Sequence, residues 1–177
     1  MFEKFTERAR RAIFFARAEV EVRRAWAIEP EHLLLGLLRE DPELFQLLSP
    51  DGKEAVSVIR NQIEASIRQS DTVQSTEHIP LSPFGKEVVR MASDSSRGMG
   101  HAHVGTQHLL LALIRQGLGR KRRWFSFAPR VESLVSRILR ERGLTEERVA
   151  SKVLEGSITP QTLTGASAST RPPSDER

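Results

Sequence analysis

Ala9, Ala12, Ile13, Ala16 and Val20 recur at three- and four-residue spacing, with Arg8, Arg10, Arg11, Arg17 and Glu21 on the other faces. That is the period of an amphipathic helix, and it predicts one from about Thr6 to Arg24. Thr6 is placed to cap it and Glu7 to complement its dipole. A second helix opens at Pro30, runs through Leu33-Leu34-Leu35-Gly36-Leu37-Leu38 and stops at Asp41-Pro42, because proline bars the α conformation from the residue before it. It is apolar on most of its circumference, so it belongs at the centre of a bundle. Further helices are predicted near Glu43–Leu48, Gly52–Arg68, Arg130–Arg142 and Thr145–Leu154, with Gly143 as the stop between the last two. No segment alternates like a strand. The fold class is all-α.

The pattern repeats. Glu31-His32-Leu33-Leu34-Leu35-Gly36-Leu37-Leu38-Arg39 returns as Gln107-His108-Leu109-Leu110-Leu111-Ala112-Leu113-Ile114-Arg115, an offset of 76 residues. At the same offset Thr6 falls on Ser82, Ala12 on Val88, Ala16 on Ala92 and Ile28 on Val104. Ser82-Pro83 is a cap followed by proline at the first helical position, so the second copy opens like the first. The buried helix of that copy starts at Thr106 and ends at Gly117 and Gly119. Two copies of so long a unit predict a duplicated helical module folded as one pseudo-symmetric body rather than a solenoid.

Charge changes this picture in one place. The formal net charge is +4. Between Arg120 and Arg142 there are eight basic residues against two acidic ones, and the remainder of the chain is slightly acidic. The basicity belongs to a segment, not to the whole surface. There are no cysteines, which excludes disulfides, thiolate metal sites and a cysteine nucleophile, and suits a reducing, cytoplasmic setting. No stretch approaches the ~18 consecutive apolar residues that span a bilayer.

The candidate chemistry is thin. His101, His103 and His108 lie close together near His78, but no carboxylate completes a first shell, so the reading is no metal, with capping or structural roles for His32 and His108. Glu29/Glu31 and Glu146/Glu147 sit at helix starts, where the dipole accounts for them. Phosphate-loop, nucleophile-elbow and His-Glu-x-x-His motifs are absent, so no catalytic residue and no cofactor is predicted. Arg120-Lys121-Arg122-Arg123-Trp124-Phe125-Ser126-Phe127 joins four cations to three aromatics and offers phosphate neutralisation with stacking. A solvated basic loop with its aromatics folded back is the alternative.

Together these motifs resemble the amino-terminal Clp repeat domain of the Clp-type AAA+ unfoldases, in particular the ClpC branch. The family's Gly-Thr-Glu-His-Leu-Leu-Leu-Gly-Leu motif is matched twice, by Glu29–Leu37 and Gly105–Leu113. Met1-Phe2-Glu3-Lys4-Phe5-Thr6-Glu7-Arg8-Ala9 looks like that branch's start, and His78–Pro83 like the lead into its second repeat. The resemblance implies a pseudo-twofold bundle of about eight helices that recruits substrates and adaptor proteins and has no catalysis of its own. It also implies phosphoarginine recognition. Carried over position by position, Thr6 and Glu31 match a first site, while Ser82 and Gln107 depart from a second.

The expected organisation is a Clp N-terminal-like domain over 1–155, with repeat one about 1–69, a linker 70–80, and repeat two about 81–155. The last carries a basic-aromatic insertion at 120–133, and 156–177 is expected to be a disordered tail. No Walker motif follows. The functional expectation is a protein-interaction module for substrates, adaptors or a Clp component. Two alternatives are nucleic-acid or acidic-partner binding through Arg120, Lys121, Arg122, Arg123, Trp124 and Phe125, and the front end of an ATP-dependent unfoldase.

Overall fold

The computed structural model describes residues 2–67, 79–116 and 133–155. Among them are eight α-helices and no strand: α1 (Glu7–Arg23), α2 (Pro30–Glu40), α3 (Pro42–Leu48), α4 (Ala55–Ser66), α5 (Pro83–Gly98), α6 (Thr106–Arg115), α7 (Leu134–Glu141) and α8 (Glu146–Leu154). The all-α pseudo-twofold expectation holds. The predicted caps act as caps, with the Ala9 N–H donating to Thr6 Oγ1 at 3.2 Å and the Gly85 N–H to Ser82 Oγ at 2.9 Å. The helix expected from Gly52 begins instead with a 3-10 turn, Gly52–Glu54, and becomes α4 at Ala55. Gly52 has φ +55°, a left-handed conformation that interrupts α geometry. In the last region the described helix starts at Leu134, capped by Ser133, rather than at Arg130. The expected tail, most of the linker and residues 120–132 of the expected insertion lie outside the described residues.

The two leucine-rich helices form the centre. Every residue of α2 from His32 to Leu38 is buried, and so is every residue of α6 from Thr106 to Ile114. They pack on each other, with α1, α3 and α4 around α2 and α5, α7 and α8 around α6. In the first repeat the backbones approach closely. A Cβ on Gly36 would stand 2.6 Å from the Ala16 nitrogen and 3.0 Å from its Cα, and would collide with the Ala12 carbonyl oxygen. Ala12 and Ala16 are small because they face this glycine. At the same offset the second repeat has Val88 and Ala92 on α5, and Ala112 in place of Gly36.

Burying the start of a helix also buries the N–H groups of the residues that lead into it, and they need partners. The chain supplies them across the duplication. Residues leading into α1 pair with those leading into α6: the Thr6 N–H donates to the Val104 carbonyl at 2.9 Å and the Val104 N–H to the Lys4 carbonyl at 2.7 Å. Residues leading into α5 pair likewise with those leading into α2, through Ile28 N–H to Pro80 (2.8 Å) and Ser82 N–H to Ile28 (3.1 Å). Within each central helix a histidine closes the first turn. Glu29 N–H donates to His32 Nδ1 at 3.1 Å and Gly105 N–H to His108 Nδ1 at 2.8 Å. An imidazole that accepts at Nδ1 and stays neutral carries its proton on Nε2. His108 then donates from Nε2 to His101 Nδ1, 2.8 Å away.

Protonating either ring at Nδ1 would break its cap. Burial lowers His32 to about 4, with Arg23 adding to the shift and Glu19 opposing it. His108 is also lowered to about 4, by burial first and His101 second.

Two outcomes follow for stability. Gly36→Ala overpacks the α1–α2 contact and should cost about 1–3 kcal/mol, read as a lowered urea midpoint, while Ala112→Gly, at a fully buried position, should cost about 2 kcal/mol from lost helix propensity and one lost buried methyl. For pH, the folded state takes up protons at His32 and His108 less readily than the unfolded chain, whose histidines titrate near 6.5. The stabilisation is complete above that value and is lost as pH falls toward about 4. Urea midpoints should drop across that window, and imidazole resonances of both residues should titrate near its lower end.

Candidate functional site

The residues expected to recognise a ligand all lie at helix starts. Glu31 is the second residue of α2 and is half-buried, while Gln107 is the second of α6 and is buried. Thr6 and Ser82 are the buried caps of α1 and α5. Their grouping in space differs from their grouping in sequence. The carry-over put Thr6 with Glu31 and Ser82 with Gln107, one pair per repeat. The crossed bridges instead set the Thr6 cap beside the start of α6 and the Ser82 cap beside the start of α2. Ser82 Oγ–H donates to Glu29 Oε2 at 2.7 Å, joining the two repeats at that point.

The two helix starts therefore differ chemically. Around α2 stand Glu29, Glu31 and the Ser82 hydroxyl. Burial pushes the Glu31 carboxyl above its ordinary range, its own backbone N–H pulls the other way, and the charge of Glu29 raises it further. Among the described residues Glu31 makes no ion pair, so its partly desolvated carboxylate lacks a cation. Around α6 the corresponding positions are Gly105 and Gln107. The Gln107 amide folds back over Gly105, with Nε2 3.0 Å from where a Cβ on that glycine would stand, and this nitrogen has no hydrogen-bond partner. Such an arrangement can bind a cationic group at α2. At α6 the corresponding positions offer only neutral polar atoms, and the carboxylate that reaches this helix start, Asp41, is already paired with Arg8.

Sequence reasoning missed Asp41, which it used only as the residue that ends α2. Asp41 is buried and joins three elements: it caps α3 by accepting from the Leu44 N–H at 3.3 Å, accepts from Arg8 at 3.0 Å, and accepts from Thr106 Oγ1–H at 2.6 Å. The signal available was an Asp immediately before Pro42, which is a cap as much as a stop. Among the described residues, no group of three His, Cys, Asp or Glu side chains could hold a metal ion. No described helix is long and apolar enough to cross a membrane. Arg120, Lys121, Arg122, Arg123, Trp124 and Phe125 lie outside the described residues.

Residues 4–126 match the Clp repeat (R) N-terminal domain family. The chain is 33% identical over 156 residues to the chaperone protein ClpB of Oceanobacillus iheyensis, and 30% identical over 159 residues to the negative regulator of genetic competence ClpC/MecB of Bacillus subtilis. Each alignment covers 88% of this chain, which spans about 17% of the length of these curated relatives. Among solved structures, the N-terminal domain of ClpD from Arabidopsis thaliana superposes with a TM-score of 0.61 at 23% identity, covering 89% of this chain and 100% of that one. The Hsp104 N-terminal domain from Candida albicans gives 0.63 at 16% identity, covering 88% and 92%. At those identities the structures establish the shared fold, while the match over 4–126 establishes the kinship. By that match, and by the duplicated helix starts that carry it, the chain belongs to the Clp repeat N-terminal domain family.

Proposed function

We propose that this chain is a non-enzymatic recruiting module of Clp-type protein quality control, holding substrates or adaptor proteins at its helix starts for delivery to an unfoldase. The observation that carries this reading is the unpaired, half-buried carboxylate of Glu31 at the mouth of α2. A guanidinium supplies what that carboxylate lacks, since charge-assisted hydrogen bonds are roughly twice as strong as neutral ones. Phosphoarginine on a client is the ligand the family resemblance suggests. The site at α2, with Glu31 beside the Ser82 cap, is then dominant. The site at α6, with Gln107 beside the Thr6 cap, can hydrogen-bond a guanidinium but cannot balance its charge.

Two further readings rest on specific features. The four cations and following aromatics from Arg120 favour an acidic partner or nucleic acid as an additional ligand. The relatives' much greater length supports a place at the front of a longer ATP-dependent unfoldase.

Calorimetric titration with phosphoarginine, paired with pull-down of client proteins, tests the principal reading. Glu31→Ala should weaken binding by tenfold or more, on the order of the 1.5–3 kcal/mol of a hydrogen bond to a charged group, and Gln107→Ala should have a smaller effect. Equal losses in the two variants, or none in Glu31→Ala, would sink it. For the basic run, a gel shift with RNA or DNA should weaken steeply with added salt and vanish when Arg120, Lys121, Arg122 and Arg123 are replaced by Ala.

A further inference from the structure

The duplication provides an internal control for surface chemistry, because each exposed position of α1 has a counterpart on α5 in the same fold. Phe14 and Val22 of α1 are 66% and 76% exposed, and Trp26 beyond its C-terminus is 62% exposed. Phe14, Ala18 and Val22 are spaced four residues apart, so they form one line on the outer side of the helix, about 12 Å long. Their counterparts are Arg90, Asp94 and Gly98, and that of Trp26 is Ala102. Arg90 and Asp94 make an ordinary surface ion pair at 2.6 Å. The fold thus accepts a polar line at this place. The apolar one in repeat one answers no packing demand of the bundle.

The charges around the stripe indicate what it faces. Arg10, Arg11 and Arg17 lie four before, three before and three after Phe14, and so ring it on the helix surface. The nearby carboxylates are already engaged: Glu7 and Glu40 with Arg11, and Glu21 with Arg17. Arg10 is exposed and has no carboxylate partner among the described residues. Among the described residues, the charge beside the stripe that is left without a counter-ion is the positive one of Arg10.

We propose that the outer face of α1 is a docking surface for an amphipathic, acidic helix of a partner protein. Its apolar residues would cover Phe14 and Val22, and a carboxylate beside them would meet Arg10. This surface is separate from the helix starts at α2 and α6, and does not depend on the reading given for them.

The test is amide chemical-shift mapping on the complete 177-residue chain with two designed helical peptides. Both carry the same leucine stripe, flanked in one by Glu and in the other by Lys. Vesicles of phosphatidylglycerol form a third arm. The Glu peptide should shift amides of α1 around Phe14 to Val22 and should bind about tenfold more tightly than the Lys peptide. Phe14→Arg, which installs the residue found at position 90, should weaken the Glu peptide about tenfold, as expected for an aromatic anchor. Its melting temperature should remain that of the wild type, and Glu31→Ala should leave peptide binding intact. Equal affinity for the two peptides, shifts confined to other helices, no effect of Phe14→Arg, or binding of vesicles but of neither peptide would each overturn the proposal.

Discussion

Everything in this fold depends on how the buried residues leading into α2 and α6 obtain hydrogen bonds. A helix apolar on all sides packs well at the centre of a bundle, yet the amides of the residues leading into it would be left without water or partners, at a cost of about 1–3 kcal/mol for each unsatisfied group. The chain meets this demand with a histidine at the third helical position and a short parallel bridge from the other repeat. The histidines must be neutral to accept at Nδ1, so the centre of the fold tolerates neither their protonation nor a substitute lacking an acceptor there. The polar residues near these helix starts, Glu29, Glu31, Asp41, Thr106 and Gln107, lie where the apolar core ends.

The duplication supplies the architecture, and divergence supplies the chemistry. Gly36 lets α2 lie against the backbone of α1, while Ala112 stands at the same position in the second repeat. His108 has His101 as a partner, but His32 has Ala25 at the equivalent position, and its Nε2 is left unpartnered. Acid at α2 is answered by amide at α6. The two halves therefore share a frame and present different surfaces.

Much of this was legible along the chain because helices are local. Thr6, Ser82-Pro83, Pro30 and Asp41-Pro42 mark helix ends by short-range chemistry, and the leucine run marks the centre by its lack of a polar face. The misreadings have equally local causes: a left-handed Gly52 delays the start of the helix that carries Val56, Ile59 and Ile63 until Ala55, and Ser133 caps a helix whose apolar pattern extends further back. The site was less legible. An internal alignment compares each residue with its own copy, so it naturally groups Thr6 with Glu31. The bridges that place Thr6 with α6 and Ser82 with α2 join residues far apart in sequence, and no periodicity encodes them. Asp41 went unrecognised for the same reason, since its partners Arg8 and Thr106 belong to other helices.

The crossed bridges also decide how the molecule comes apart. Each repeat lends the other the segment that closes its central helix, so neither is complete when separated. Withdrawing the segment around Phe5 uncovers amides in the opposite half, and withdrawing the segment around Leu81 does the same in reverse. The covalent order of the repeats is thus secondary to their mutual dependence, which is that of two subunits joined by a tether. A strain on either segment reaches across the pseudo-twofold, and the closures of the two central helices persist or dissolve together.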